Sequence, residues 1–222
     1  MREYYDLQLN ELNNQIIEMG SLVEKSVAYS TKALVECEIE KLEKLPKYEK
    51  AVNKKEKEIE GLCVNLIMHN QPVAKDLRFI SAVLKMVTDI ERIGDLAEDI
   101  AEIAKLVAAA DYKVKADSFS KIANTAVKMV NLGIDAFVAR DLELAQKVAE
   151  MDNIVDQLFI EVREKLVSGL KTGEFPSEPA LDLFLAVKYY ERIGDHAVNI
   201  AEWVAYSLTG KIENYDDFGI DD

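Results

Sequence analysis

Apolar side chains recur every three to four positions through most of this sequence, the period of an amphipathic helix, and prolines interrupt that pattern at only a few points. The spacing predicts a helix from about Tyr5 to Val35, a short one from Glu38 to Lys44, and a third from Lys47 to His69. A long helix follows, from about Val73 to Ala109. After the polar, non-periodic stretch Ala110 to Asp117, the plan repeats. A helix from about Phe119 to Ala139 comes next, then a short piece starting at Asp141, then helices from about Glu150 to Leu170 and from Glu178 to Leu208. Pro46, Pro72, Pro176 and Pro179 mark the joints, as expected of a residue that cannot donate inside a helix. The expected fold class is all-α: two tandem three-helix bundles over residues 1–112 and 113–212, followed by an acidic tail over 213–222.

The halves are copies of one unit. Residues 91 to 102 read ERIGDLAEDIAE and residues 191 to 202 read ERIGDHAVNIAE, identical at nine of twelve positions. Immediately upstream, residues 77 to 90 and 177 to 190 share only Val87 and Val187, so the identity is concentrated in this block. The preceding helices align at an offset of 96, which lays Glu56 and Glu60 on Asp152 and Asp156.

On a helical wheel at about 100° per residue, Glu91, Asp95 and Asp99 drift by only about 40° per step. Ile93, Leu96, Ile100, Ile103 and Val107 occupy the other side. The carboxylates are therefore expected to be an accessible stripe opposite the core face, and Glu191, Asp195 and Asn199 repeat it. A solvated acidic face is the ordinary explanation for one such stripe. Two copies in the same order ask for more, because like charges at this spacing repel by a few tenths of a kcal/mol per pair. A cation would offset that repulsion. Carboxylate oxygens without a neighbouring His or Cys suit hard ions such as Mg²⁺, Mn²⁺ or iron. Glu56, Glu60, Asp152 and Asp156 could complete such sites, or could be plain surface acids. Arg92 and Arg192 lie beside the stripe. They read as i,i+3 partners of Asp95 and Asp195, with an anion or partner contact as the sharper alternative. Gly94 and Gly194 read as close-packing positions, and His196 as a boundary residue.

Composition narrows the function classes. The chain of 222 residues carries 41 acidic and 27 basic residues, a net charge of −14. That disfavours nucleic acid as a partner. No apolar run approaches the ~18 residues of a membrane span, so contact with a membrane is expected only through partners. Cys37 and Cys63 form no CxxC and are expected to be buried thiols in a reducing cytoplasm. The phosphate-loop, dinucleotide, nucleophile-elbow, HExxH and ExxH patterns are all missing. The residues leave open a carboxylate-metal enzyme such as a phosphohydrolase and a metal-free helical adaptor.

The two acidic motifs, their ERIGD context and the segment Gln71–Arg78 resemble the PhoU family of phosphate-uptake regulators. That family carries two tandem E(D)xxxDxxxD motifs, one per three-helix bundle. The resemblance covers nearly the whole chain and implies a cytoplasmic, commonly dimeric regulator, not an enzyme. It implies metal on Glu91, Asp95 and Asp99 and on Glu191, Asp195 and Asn199. It also implies a link between a phosphate ABC transporter and a sensor histidine kinase. Asn199 departs from the pattern by supplying an uncharged amide in place of the last acid.

Overall fold

Local signals set the helix ends. In the computed structural model, which describes residues 2–70, 72–112 and 117–211, six α-helices and one 3₁₀ turn account for nearly all of the backbone. They are α1 (Arg2–Glu36), the 3₁₀ turn Ile39–Lys44, α2 (Leu45–Asn70), α3 (Ala74–Ala109), α4 (Asp117–Ala139), α5 (Leu142–Thr172) and α6 (Ser177–Thr209). The expected acidic tail, 213–222, lies outside the described residues, as does the middle of the connection between the halves. Pro46 stands in the first turn of α2, where its missing N–H leaves no helical hydrogen bond unmade. Gly173 ends α5 in the left-handed region at φ 74°, and Glu174 N then donates to Gly169 O at 2.9 Å.

One expected boundary was misplaced. The short piece beginning at Asp141 is not a separate element. Asp141 is the N-cap of the continuous α5, its carboxylate accepting from Glu143 N at 2.8 Å and Leu144 N at 3.2 Å. The first half breaks at the corresponding place into a 3₁₀ turn followed by α2, so the repeat is not carried through every joint.

Helices α1, α2 and α3 pack together, as do α4, α5 and α6. The two bundles are not separate bodies. The most extensive helix–helix contact in the molecule joins α3 to α6 across the halves, and α1 also meets α4. One continuous apolar cluster runs through both bundles, with Ile90, Ile93 and Ile100 of α3 and Ile193 and Ile200 of α6 fully buried. Tyr190 of α6 is buried as well, and its hydroxyl bonds Thr31 Oγ1 of α1 at 3.0 Å. A buried phenol needs such a partner, because an unpaired hydroxyl in an apolar core is costly.

One expectation fails on burial. Cys37 is exposed, just beyond α1 at φ 59°; only Cys63 is buried, and desolvation pushes its thiol up to about 12. One helix is more apolar than its neighbours. By length and composition Ser118–Ala139 could cross a membrane, but half of its most apolar stretch is spent in the core of the second bundle. Ile122, Ala126, Met129 and Val130 supply that buried face.

The shared core sets a stability test. Ile93→Ala removes a fully buried side chain at the centre of the cluster and is expected to cost about 2–5 kcal/mol. Leu106→Ala, on the exposed side of the same helix, is expected to change stability by less than about 0.5 kcal/mol. Urea unfolding of both variants measures the difference. Equal midpoints would contradict the packing described.

Candidate metal and recognition grooves

The repeated block falls in the middle of α3 and of α6, the two helices that face each other across the halves. Their directions are opposed: rising from Asp89 to Asp99 on α3 brings the neighbour on α6 from Asn199 back to Arg192. The other flank of each helix faces the middle helix of its own bundle. Gly94 lies there, where a Cβ would stand 3.5 Å from Val52 Cγ1 and 3.7 Å from Val23 Cγ2, ordinary packing distances. Gly194 allows a closer approach, since a Cβ there would lie 3.4 Å from Asp152 Oδ1. The expected close-packing role of both glycines holds.

This packing corrects the picture of an accessible stripe at its first position in each half, while Asp95, with a side chain 41% exposed, and the exposed Asp99 and Asp195 remain accessible as expected. Glu91 and Glu191 are largely covered, their side chains 16% and 15% exposed. A wheel drawn for one helix places them opposite the core, but the neighbouring middle helix closes over them. In the first half, Glu91 and Asp95 of α3 share a groove with Glu56 and Glu60 of α2. Desolvation, Asp95 and Glu56 push the Glu91 carboxyl up, and Arg92 opposes them. Glu56 is likewise raised by desolvation and by Glu60. In the second half, Asp152 and Asp156 of α5 meet Glu191 and Asp195 of α6. Desolvation, then Asp156, Asp195 and Glu191, push Asp152 up to about 6, and its buried Oδ1 accepts no hydrogen bond. Asp195 is exposed along one edge, yet the desolvating neighbours and Glu191 still push its carboxyl up.

Each groove holds one built-in cation. Arg92 Nη1 lies 3.2 Å from Asp95 Oδ2, and its Nε lies 3.6 Å from Glu91 Oε2, which is the simple i,i+3 pairing expected. In the second groove Lys188 plays that part, its Nζ 2.6 Å from Glu191 Oε1. Arg192 does not copy Arg92. Its charge acts across the seam on Asp99, whose carboxyl is otherwise raised by desolvation and by Asp95. Among the described residues, no three carboxylate, imidazole or thiol groups converge closely enough to hold an ion as the side chains stand.

The third motif positions belong to the seam rather than to the grooves. Asn199 Nδ2 donates to Asp89 Oδ1 of α3 at 3.0 Å, and His196 Nδ1 lies 2.9 Å from the same oxygen. In the first half the corresponding positions are Asp99 and Leu96, and the position of Asp89 is taken by Tyr189. An acid on one side of the seam thus goes with an amide on the other. Sequence reasoning missed Asp89; the exchange of Asp89 for Tyr189 and of Asp99 for Asn199, read together, was the available signal.

The profile of the PhoU domain matches the chain twice, over residues 16–104 and 119–204. The chain belongs to the PhoU family. The two matches coincide with the two three-helix units and include both acid grooves. Among relatives, the phosphate-specific transport system accessory protein PhoU homolog of Synechocystis is 32% identical over 96% of this chain and 94% of its own. The homolog of Clostridium acetobutylicum is 32% identical over 95% and 96%. The crystal structure of PhoU from Pseudomonas aeruginosa superposes with a TM-score of 0.88 at 31% identity, covering 93% of this chain and all of that one. PhoU from Streptococcus pneumoniae, at 23% identity, shares the fold with a TM-score of 0.86 over 95% of this chain and 99% of its own.

Two outcomes follow from the geometry. Asn199→Asp, which would restore the full acidic motif, sets a second carboxylate against Asp89. It is expected to lower stability by about 1–3 kcal/mol at neutral pH. Asp89→Asn in the same chain should recover most of the loss, with thermal melts of the two variants as the measurement. The second outcome concerns pH. Asp152 titrates near 3.8 when unperturbed and about 6 when folded, so the folded chain holds that proton more tightly. Stability therefore falls as pH rises from about 4 to 6. Chelator-stripped protein is expected to melt higher at pH 5 than at pH 7, and Asp152→Asn should raise the melt at pH 7 and narrow that difference.

Proposed function

We propose that this chain is a non-catalytic accessory regulator of phosphate uptake, working by protein–protein contact at a surface conditioned by metal. The observation that carries the reading is the duplicated acid groove in a chain of the PhoU family. Its full-length relatives are named as accessory proteins of a phosphate-specific transport system. The partners proposed are a phosphate ABC transporter and a sensor histidine kinase, both met in the cytoplasm, with the protein as a homodimer.

The donor chemistry of the grooves fits hard cations. Glu56, Glu60, Glu91 and Asp95 in one groove, and Asp152, Asp156, Glu191 and Asp195 in the other, offer only carboxylate oxygen. Asp152 Oδ1 is buried with no hydrogen bond, the kind of acceptor a bound cation would satisfy. Asp99 and Asn199 adjoin the grooves from the seam, so they are the outer members of each set. Iron, Mn²⁺ or Mg²⁺ would neutralise the mutual repulsion of these acids and stiffen the pairing of middle and last helices.

The test combines composition with phenotype. Protein purified without a metal-affinity column is analysed by elemental mass spectrometry beside the Glu91→Ala, Glu191→Ala double variant. Stoichiometric metal that falls in the variant is expected. In the native host, deletion is expected to leave phosphate-starvation genes switched on in high phosphate. Starvation genes that stay repressed after deletion would overturn the regulator reading. Metal-free protein, even after anaerobic reconstitution, would overturn the metal reading alone.

A further inference from the structure

A cavity of about 250 Å³ lies away from both acid grooves, where α1, α3, α4 and α6 come together. It is lined by Leu9 of α1, by Lys75, Asp76 and Phe79 at the start of α3, by Arg140 just past α4, and by Ser207 and Leu208 near the end of α6. The segment Pro72–Arg78, which the acidic motifs leave unexplained, opens α3 and supplies this corner.

Its charges are unspent. Among the described residues neither Lys75, Asp76 nor Arg140 forms an ion pair, although the protein as a whole carries a net charge of −14. Arg140 sits at φ 52°, a left-handed backbone that a long side chain seldom adopts, and its guanidinium lies 5.2 Å from the centre of the Phe79 ring. Phe137 stacks on Phe79 at 5.7 Å, which fixes that platform. A third cation stands close by. Arg78 lies against Gly210, where a Cβ would collide with its Nη1, and its buried Nε has no hydrogen-bond partner. The first turns of α3 bring their unpaired backbone N–H groups to the same corner, and Val73 offers them no side-chain cap. The second half has no counterpart: Ser177–Leu185 of α6 carries Glu178 and Asp182 and no basic residue.

The acceptors define the ligand further. Ser207 Oγ donates its proton to Val204 O at 2.7 Å, so toward a ligand it can only accept. The Asp76 carboxylate is likewise an acceptor. A pocket with two free cations and two acceptors suits an anion that also carries a proton. At neutral pH sulfate and carboxylates have no such proton, whereas inorganic phosphate keeps at least one P–OH and a phosphate monoester, with its second pKa near ~6, keeps one in its monoanionic form, which an acceptor beside it favours. We propose that this cavity binds a phosphate group, free or carried on a small organic molecule, with Lys75 and Arg140 on its charged oxygens and Asp76 accepting from its P–OH. This goes beyond the regulator reading above and does not depend on metal in the acid grooves.

The test is isothermal titration of the full chain with inorganic phosphate, glycerol 3-phosphate and sulfate, with and without chelator. Saturable binding of phosphate or its ester is expected, unchanged by chelator and much weaker for sulfate. The tighter of the two phosphates names the source. Lys75→Gln and Arg140→Gln, both at exposed positions, should each weaken binding about tenfold or more while the melting temperature holds. Asp76→Asn should bring sulfate to within about threefold of phosphate, since an amide can donate where the carboxylate repelled. Neither phosphate binding, binding lost with chelator, or variants that bind as the parent does would overturn the proposal. None of these results bears on whether deletion derepresses starvation genes, so the two readings fail separately.

Discussion

The antiparallel contact between α3 and α6 is the constraint on which the other features depend. Each helix must bury one flank against its opposite number and another against its own bundle, so through its middle turns only a narrow stripe stays exposed, marked by Thr88, Arg92 and Asp99 on α3 and by Lys188, Arg192 and Asp195 on α6. The apolar residues of the repeated block fill the seam and the core together. What is left for Glu91, Asp95 and their copies is the crevice toward the middle helix. Glu91 and Glu191, at the edge of the exposed stripe, are the carboxylates that the middle helices cover. Desolvation is accordingly the first cause of the raised carboxyls at Glu56, Glu91, Asp152 and Asp195.

The helices and the repeat were legible in the sequence because both are local or self-referential signals. Apolar spacing marks a helix whatever it packs against, and a second copy of ERIGD reveals a unit without any other protein for comparison. Family membership was legible on the same residues. What was not legible depended on neighbours. The wheel for residues 91–102 assigns directions but contains no α2, so it took Glu91 to be open to water. Asp141 read as the start of a short piece because a cap and a loop residue look alike until the following turn is seen to continue. Cys37 was taken as buried on residue type alone, yet it occupies a left-handed position at a helix end.

Asn199 shows how a departure from a motif is explained by structure. Considered within its own half, it is a lost acid. Considered across the seam, it answers Asp89, a residue outside the motif altogether. The charge was not simply removed from one side; the seam contains one acid at this level from α3, and α6 meets it with an amide and an imidazole. The grooves are thus less alike than their shared letters suggest, each with a different built-in cation and a different relation to the opposite half.

Covalent tandem arrangement has a consequence for how the seam could diversify. If each three-helix unit were a separate chain pairing with its twin about a two-fold axis, every residue at the interface would meet the same set of residues on the other side. An aspartate at position 89 would impose its counterpart on both subunits, and any compensating amide would appear twice. Joined in one polypeptide, the units are always present together at high effective concentration, and each side is free to change alone. The Asp89–Asn199 pair, and a basic corner built only once, with Lys75 from one half and Arg140 from the other, are arrangements that an exact dimer of identical units is forbidden by symmetry to make.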